Sequence, residues 1–424
     1  MQIPNEFPSF RPSPSLPGWD QSLGLMADPY RFISRHCRLL GSNVVQARIM
    51  LRPTLFLTGA RAAQLFYDRE KFTRIGAVAE PVRATLFGKG SLHAMDGVAH
   101  LQRKRFFMAA MAPEYGNDLL TGAEQSWHQM ALQWQGNAQL ELYGASQQWL
   151  MRSVCDWAGV PLPPDQLHNR TRQLVALFDS AASSIRGHLN ARVARLQAEF
   201  WLARLIIDDR RGLNTLRERS LSWAAARLTD HEGRLLPARV AAVELLNVLR
   251  PTVAVSVFVV FAAHALHHQP DWVARLRGAS PENLDAFVQE VRRFYPFIPF
   301  IPARVRYDFL WDGHRFTQGC QVLLDVYGID HDACTWSDAA VFRPERFMTS
   351  PPGPFAFIPQ GGGDAHTHHR CPGEGITVGL MKLALRLLVE RSQYSVPPQK
   401  LGIQMNRLPA LPEDRFRIAS FKAV

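Results

Sequence analysis

From Val240 to Leu266 the chain runs through one long apolar segment that is hydrophobic on every face of a helical wheel. Such a segment has two stable destinations, the interior of a bilayer or the centre of a protein large enough to surround it. Its polar members decide between them. Glu244, Asn247 and Arg250 fall in the first half, and only Thr252 to Leu266 carries no formal charge. That stretch is shorter than the ~20 residues a bilayer core requires. A buried core helix is therefore expected, with no membrane span. A chain of 424 residues, 47% of them hydrophobic, is long enough to build the surround, since a chain of this size buries roughly three quarters of its unfolded surface.

The remaining patterns are mostly helical in period. Tyr30 to Leu40, Leu140 to Trp157, Thr171 to Ser184 and Val193 to Asp208 carry apolar residues at helical spacing. Val44 to Thr58 alternates instead, with Pro53 near its middle, and reads as a β-hairpin. Short β segments are expected near Val305 to Phe316 and Gln321 to Leu324. Without a repeat or a linker, residues 1–424 read as a single mainly-α domain with a small β-sheet subdomain. An extended, proline-rich lead-in occupies residues 1–17.

The formal charge of +11 comes almost wholly from scattered arginines. There is no basic run and no zinc-finger spacing, so nucleic acid is not the expected partner. Five cysteines at irregular spacing argue against a disulfide framework. The polar segment Met1 to Gly18 has neither a signal peptide's nor an anchor's composition. A soluble, cytoplasmic protein is expected.

Cys371 has the most distinctive surroundings. The run FAFIPQGGGDAHTHHRCPGEG, Phe355 to Gly375, leads into an apolar helical stretch from Ile376 to Leu388. Backbone N–H groups at a helix start favour a thiolate there. Gly373 and Gly375 let the backbone come close to the sulfur. Zinc on His366, His368, His369 and Cys371 is a competing reading, but ligands spaced this tightly do not readily reach four tetrahedral positions. The spacing leaves two other readings open: a plain thiol in a glycine-rich turn, and a thiolate ligand to haem.

QGGG followed by HRCPGEG resembles the cysteine loop of the peroxide-using fatty-acid hydroxylases and decarboxylases of the cytochrome P450 superfamily. It departs from the commoner loop of the superfamily at Asp364, where a Phe stands seven residues before the cysteine. Two further motifs follow the family order ahead of the loop: Glu290 and Arg293 as E-x-x-R, and FRPERF from Phe342 to Phe347. The resemblance implies the P450 fold and haem b with Cys371 as its axial ligand. It also implies a brace in which Glu290 pairs with Arg293, one helical turn away, and with Arg346. Arg74, His100 and Lys104 match positions that contact haem propionates, Lys104 standing where Arg is usual.

NVLRPTV places Arg250 and Pro251 where oxygen-activating members carry an acid and an alcohol. Proline removes one N–H and clashes with the carbonyl of Asn247, so the helix is expected to kink and open space. An arginine in an apolar helix costs several kcal/mol, roughly, if it has no partner. Glu244, six residues away, falls on the opposed face. The expected partner is a fatty acid's carboxylate, which a guanidinium grips through two parallel hydrogen bonds. That carboxylate would move the proton of hydrogen peroxide in place of the missing acid, with no obligatory reductase.

The resemblance extends to the pocket. His93 faces the haem in family members, and His is familiar there in members that decarboxylate their substrates to 1-alkenes. Phe87 and Phe297 are expected to flank the acyl chain, with Ile298 narrowing the channel where glycine is common. A 2- or 3-hydroxy fatty acid and a 1-alkene are the expected products. The sequence leaves two alternatives, a monooxygenase fed by a ferredoxin and reductase, and a haem-binding sensor without turnover.

Overall fold

The structure is a computed structural model that describes residues 12–179, 185–278, 280–349 and 352–424. It divides into two compact units. The first comprises Met1–Val78, Ile298–Ala340 and Pro352–Arg370, and the second Ala79–Phe297, Val341–Pro351 and Cys371–Val424.

The first unit is built on a sheet of β1 (Val44–Ile49), β2 (Arg52–Leu57), β3 (Phe72–Thr73), β4 (Phe300–Val305) and β5 (Gln321–Asp325), in the order β1-β2-β5-β4-β3. The hairpin pairs Val44 with Leu57 and Arg48 with Pro53. Alternation buries Val45, Ala47 and Ile49 and leaves Gln46 and Arg48 in solvent, as a period of two requires. Two short helices, α1 (Phe32–Leu39) and α2 (Ala60–Phe66), add to this unit. The short β segments expected near Val305 to Phe316 are the end of β4 and a separate ribbon, Phe309–Trp311 with His314–Phe316. The ribbon turns at Asp312 and Gly313, both at positive φ, the two-residue turn that a tight hairpin favours. Residues 1–11 of the proline-rich lead-in lie outside the described residues, and Ser15 forms a bridge to Gln46.

The second unit is helical: α3 (Gly97–Ala110), α4 (Pro113–Trp134), α5 (Leu142–Ala158), α6 (Leu167–Asp179), α7 (Ile185–Arg210), α8 (Ala238–His268), α9 (Pro281–Phe294) and α10 (Glu374–Glu390). The expected helices appear in α5, α6 and α7. Residues 180–184, the end of the third expected stretch, lie outside the described residues. Gly159 ends α5 in the left-handed conformation that favours glycine.

α8 is the axis of this unit and packs against α5, α7 and α10. Every side chain from Ala241 to Leu266 except Pro251 is buried. Among the described residues it is the one helix long and apolar enough to cross a membrane, and 94% of its most apolar window is covered by protein. Each fully buried Val, Leu or Phe contributes about 1.5–3 kcal/mol, so the segment's hydrophobicity is consumed inside the fold. The helical span continues unbroken across Pro251. Just beyond it, Thr252 Oγ1 donates to the carbonyl of Val248 at 2.9 Å.

Candidate active site

Glu244, Asn247 and Arg250 rise along α8 at intervals of three residues, and their surroundings differ sharply. Arg250 is 7% exposed. Its Nε has no hydrogen-bond partner, and among the described residues no carboxylate pairs with it. The guanidinium carbon lies 5.9 Å from the centre of the Phe87 ring. Burial pulls the proton affinity of Arg250 down, to about 9, and repulsion from Arg195 adds to this while Cys371 opposes it. The group still carries its charge at neutral pH.

Glu244 does not turn to Arg250. Its Oε1 accepts from Arg103 on α3 at 2.5 Å and from the backbone N–H of Leu92 at 3.0 Å. Burial pushes its carboxyl above the usual range, against the pull of Arg103. Asn247 Nδ2 donates to the carbonyl of Phe87 at 3.0 Å. The loop so held begins as a π-turn, Arg83–Phe87, and ends in a 3-10 turn, Leu92–Ala94. Within it the half-buried His93 stacks on Phe87, ring centres 4.3 Å apart.

Cys371 is half-buried and precedes the first residue of α10, Glu374, by three positions. Thr377 N–H donates to the carbonyl of Gly373 at 2.9 Å, closing the first turn. A Cβ on Gly373 would stand 3.9 Å from the Cys371 Sγ. Behind this helix sits the pairing expected from E-x-x-R. Glu290, fully buried, accepts from Arg293 Nε and Nη2, each at 2.7 Å, from Arg346 Nε at 3.1 Å, and from the Arg343 N–H at 2.7 Å. Two ties from α9 to α10 were not foreseen in the sequence, Arg292 to Glu374 and Asp285 to Lys382 at 2.8 Å. Only the helix pairing brings these partners together.

His100 and Lys104 lie on α3 at i and i+4, each 2% exposed, so neither belongs to a solvated face. Arg74 belongs to the first unit. There it is buried, stacks on Phe66 at 4.1 Å and donates to the carbonyl of Pro302 at 2.7 Å. The aromatic run after α9 divides. Phe297 packs on Phe258 of α8 at 4.5 Å, and Ile298 packs into the core of the first unit. Tyr295 is a core residue that stacks on Phe261 and hydrogen-bonds His264 Nδ1 at 2.7 Å. In the loop before Cys371, the Asp364 carboxylate accepts the N–H groups of His366 and Thr367 at 3.0 and 2.8 Å. Asp364 thus closes a polar turn where the commoner loop has Phe. Among the described residues no group of three His, Cys, Asp or Glu side chains is placed to hold a metal ion.

These residues fit a haem. The second unit offers a half-buried thiol ahead of a helix N-terminus, buried basic side chains at His100 and Lys104 suited to acidic propionates, and a buried cation with no counter-ion among the described residues. One cysteine ligand suffices for such a group, where zinc needs three or four protein ligands.

A family model described as Cytochrome P450 matches residues 282–417, the segment that holds Glu290, Arg293, Arg346 and Cys371. Among curated proteins, cytochrome P450 71A14 of Arabidopsis thaliana is 34% identical over 125 residues, 28% of this chain and 24% of that protein. Cytochrome P450 1A1 of Cavia porcellus is 32% identical over 132 residues, 30% of this chain and 24% of that protein. The chain thus aligns with about a quarter of the length of these curated relatives. The likeness to solved structures is far more extensive. A variant of cytochrome P450SP alpha (CYP152B1) superposes with a TM-score of 0.93 at 45% identity, covering 96% of this chain and 100% of that one. Cytochrome P450EX alpha (CYP152N1), solved with myristic acid, gives 0.93 at 38% identity over 97% and 99%. A variant of cytochrome P450 OleT in complex with arachidonic acid gives 0.94 at 32% identity over 97% and 99%.

Proposed function

The chain belongs to the cytochrome P450 family, with the CYP152 proteins, and from that premise we propose that it is a haem-thiolate peroxygenase that oxidises long-chain fatty acids at Cα and Cβ with hydrogen peroxide. The observation that carries this reading is Arg250: a buried, charged guanidinium with no carboxylate beside it among the described residues. An unpaired buried cation is costly, and a ligand carboxylate removes that cost through bidentate, charge-assisted hydrogen bonds. Fatty acids occupy two of the similar structures, as myristic and arachidonic acid.

Cys371 is the residue that would hold haem b, with His100 and Lys104 toward its propionates. When bound through a thiolate, haem iron supplies the oxidising chemistry, because the thiolate pushes electron density toward the metal and favours O–O cleavage. The protein's own part is positional. Arg250 orients the fatty acid by its head, so the C–H bonds nearest the fixed point are those at Cα and Cβ. Held there, the bound carboxylate would be the acid–base group for hydrogen peroxide, in the place of a protein acid. Pro251 follows Arg250 directly and leaves the Asn247 carbonyl without its usual N–H partner. Phe87 covers the guanidinium, and Phe87 and Phe297 flank the acyl chain. His93, stacked on Phe87, supplies a second polar group and favours some decarboxylation to 1-alkene.

Purified holoenzyme given myristate and hydrogen peroxide, with no reductase present, tests the reading. It should yield 2- and 3-hydroxymyristate with some 1-tridecene. Turnover only on addition of a ferredoxin and its reductase would reverse it.

A further inference from the structure

We propose that the buried pair Glu244–Arg103 is a latch that holds the loop from Phe87 to His93 against α8, and that its setting governs how the bound fatty acid divides between hydroxylation and decarboxylation. The proposal rests on the peroxygenase reading and adds two positioning residues to it.

α8 presents three side chains at intervals of three residues, and two of them hold the loop that lies by the third. Near its end, the Leu92 N–H donates to Glu244 Oε1 at 3.0 Å, and Arg103 donates to the same oxygen at 2.5 Å. At its start, the Phe87 carbonyl accepts from Asn247 Nδ2 at 3.0 Å and from Arg195 Nη2 of α7 at 3.1 Å. Arg195 is fixed in turn by Glu199 at 2.6 Å. Gly88 follows, at φ +86°, and a Cβ there would collide with the Arg195 guanidinium. Glycine is thus required on both conformational and steric grounds. His93 is the residue directly after Leu92, and its ring lies 4.3 Å from that of Phe87, which covers Arg250 at 5.9 Å. The separation of His93 and Phe87 from the carboxylate's anchor is therefore set by rungs of one helix.

Stability alone does not explain the pair. Glu244 is fully buried, and a buried ion pair is commonly no better for stability than two apolar side chains of similar volume. What an apolar pair lacks is an acceptor aimed at one backbone N–H. Fixing that N–H fixes the main chain next to His93, and a catalytic group's placement is sensitive on the ångström scale. Glu244 itself does not reach the substrate's anchor, since its carboxylate is occupied by Arg103, Leu92 and Asn247.

The test uses holoenzyme. The double variant Glu244→Leu with Arg103→Leu removes the charges together, so neither is left buried alone. Its carbon-monoxide difference spectrum verifies haem-thiolate ligation. Amide exchange over residues 87–94 should then quicken by about tenfold, the loss expected for one buried hydrogen bond to a charged acceptor. The ratio of 1-tridecene to hydroxymyristate should shift by roughly threefold or more, while the spectral affinity for myristate stays within about twofold. The variant Glu244→Gln with Arg103→Leu keeps an oxygen for the Leu92 N–H and should restore both exchange and ratio. Unchanged exchange and ratio in the Leu/Leu variant, or altered thermal stability alone, overturn the latch. Wild-type enzyme without any peroxide-driven product would instead defeat the peroxygenase reading, and the exchange measurement would still report on the latch.

Discussion

Arg293 and Arg250 are the same residue type at nearly the same depth in one unit, and their surroundings are opposite. Arg293 is 1% exposed and makes a bidentate pair with Glu290, which also takes Arg346 and a backbone N–H. Arg250 is 7% exposed, and its environment offers an aromatic ring and the repulsion of a second guanidinium. A buried cation whose counter-ion comes with the fold is part of the frame. One with no counter-ion among the described residues is the cation to which the proposed function assigns the substrate's carboxylate. The contrast separates brace from binding site without reference to any motif.

The contrast can be broken most sharply at Arg250 itself. Arg250→Leu should lower peroxide-driven turnover of myristate by roughly 10³-fold, as loss of a buried charge pair worth about 4 kcal/mol implies. The same substitution should leave the ligand-free holoenzyme as stable or more so, because it deletes an uncompensated charge. Measurable turnover near the wild-type rate would mean that the cation serves the frame after all.

Glu290→Leu should do the reverse. It strands two guanidiniums and should cost about 3–5 kcal/mol in denaturant unfolding, with a matching fall in the stability of haem binding. An unaltered midpoint would remove the distinction between the two arginines.

His264 gives a third kind of buried basic group, one kept neutral. Both ring nitrogens are used, Nδ1 by the Tyr295 hydroxyl and Nε2 by the Leu401 carbonyl at 3.1 Å. Burial holds its pKa down to about 4, with His268 and His267 adding to the effect. The unfolded chain takes up this proton near pH 6.5, so the contribution is complete above that pH. It is lost as pH falls from about 6.5 toward 4, by roughly 3 kcal/mol in all. His264→Gln should flatten that limb of the stability–pH curve; an equally steep limb would assign it to other groups.

The smallest effect is expected at His93. His93→Gln should alter the alkene-to-hydroxy-acid ratio by about threefold, under ~1 kcal/mol, and leave myristate affinity unchanged. A changed affinity with an unchanged ratio would move His93 from the reacting end of the substrate to its binding.

Much of this was legible along the chain because its causes are local. The hairpin at β1 and β2 follows from alternation, the burial of α8 from apolarity on all faces, and the position of Cys371 from a glycine-rich run before a helix. Glu290 and Arg293 are one turn apart, so their pairing needs only a helix. The partners that went unread are separated by 141 residues for Glu244–Arg103, 108 for Phe87–Arg195 and 82 for Arg292–Glu374. In sequence, those arginines look like any others on a basic, arginine-rich chain. No periodicity marks them, because what distinguishes them is who sits opposite.

Composition and spacing alone determined that this chain would bury a long apolar helix, set a cysteine before another, and place a cation where neither solvent nor neighbours in sequence could serve it. Only the tertiary structure decided which buried charges would be neutralised. A carboxylate's effect falls off with distance through a medium of low polarity, and that distance is fixed by helix packing. The fold supplied a partner to Arg103, Arg195, Arg292 and Arg293, and none among the described residues to Arg250.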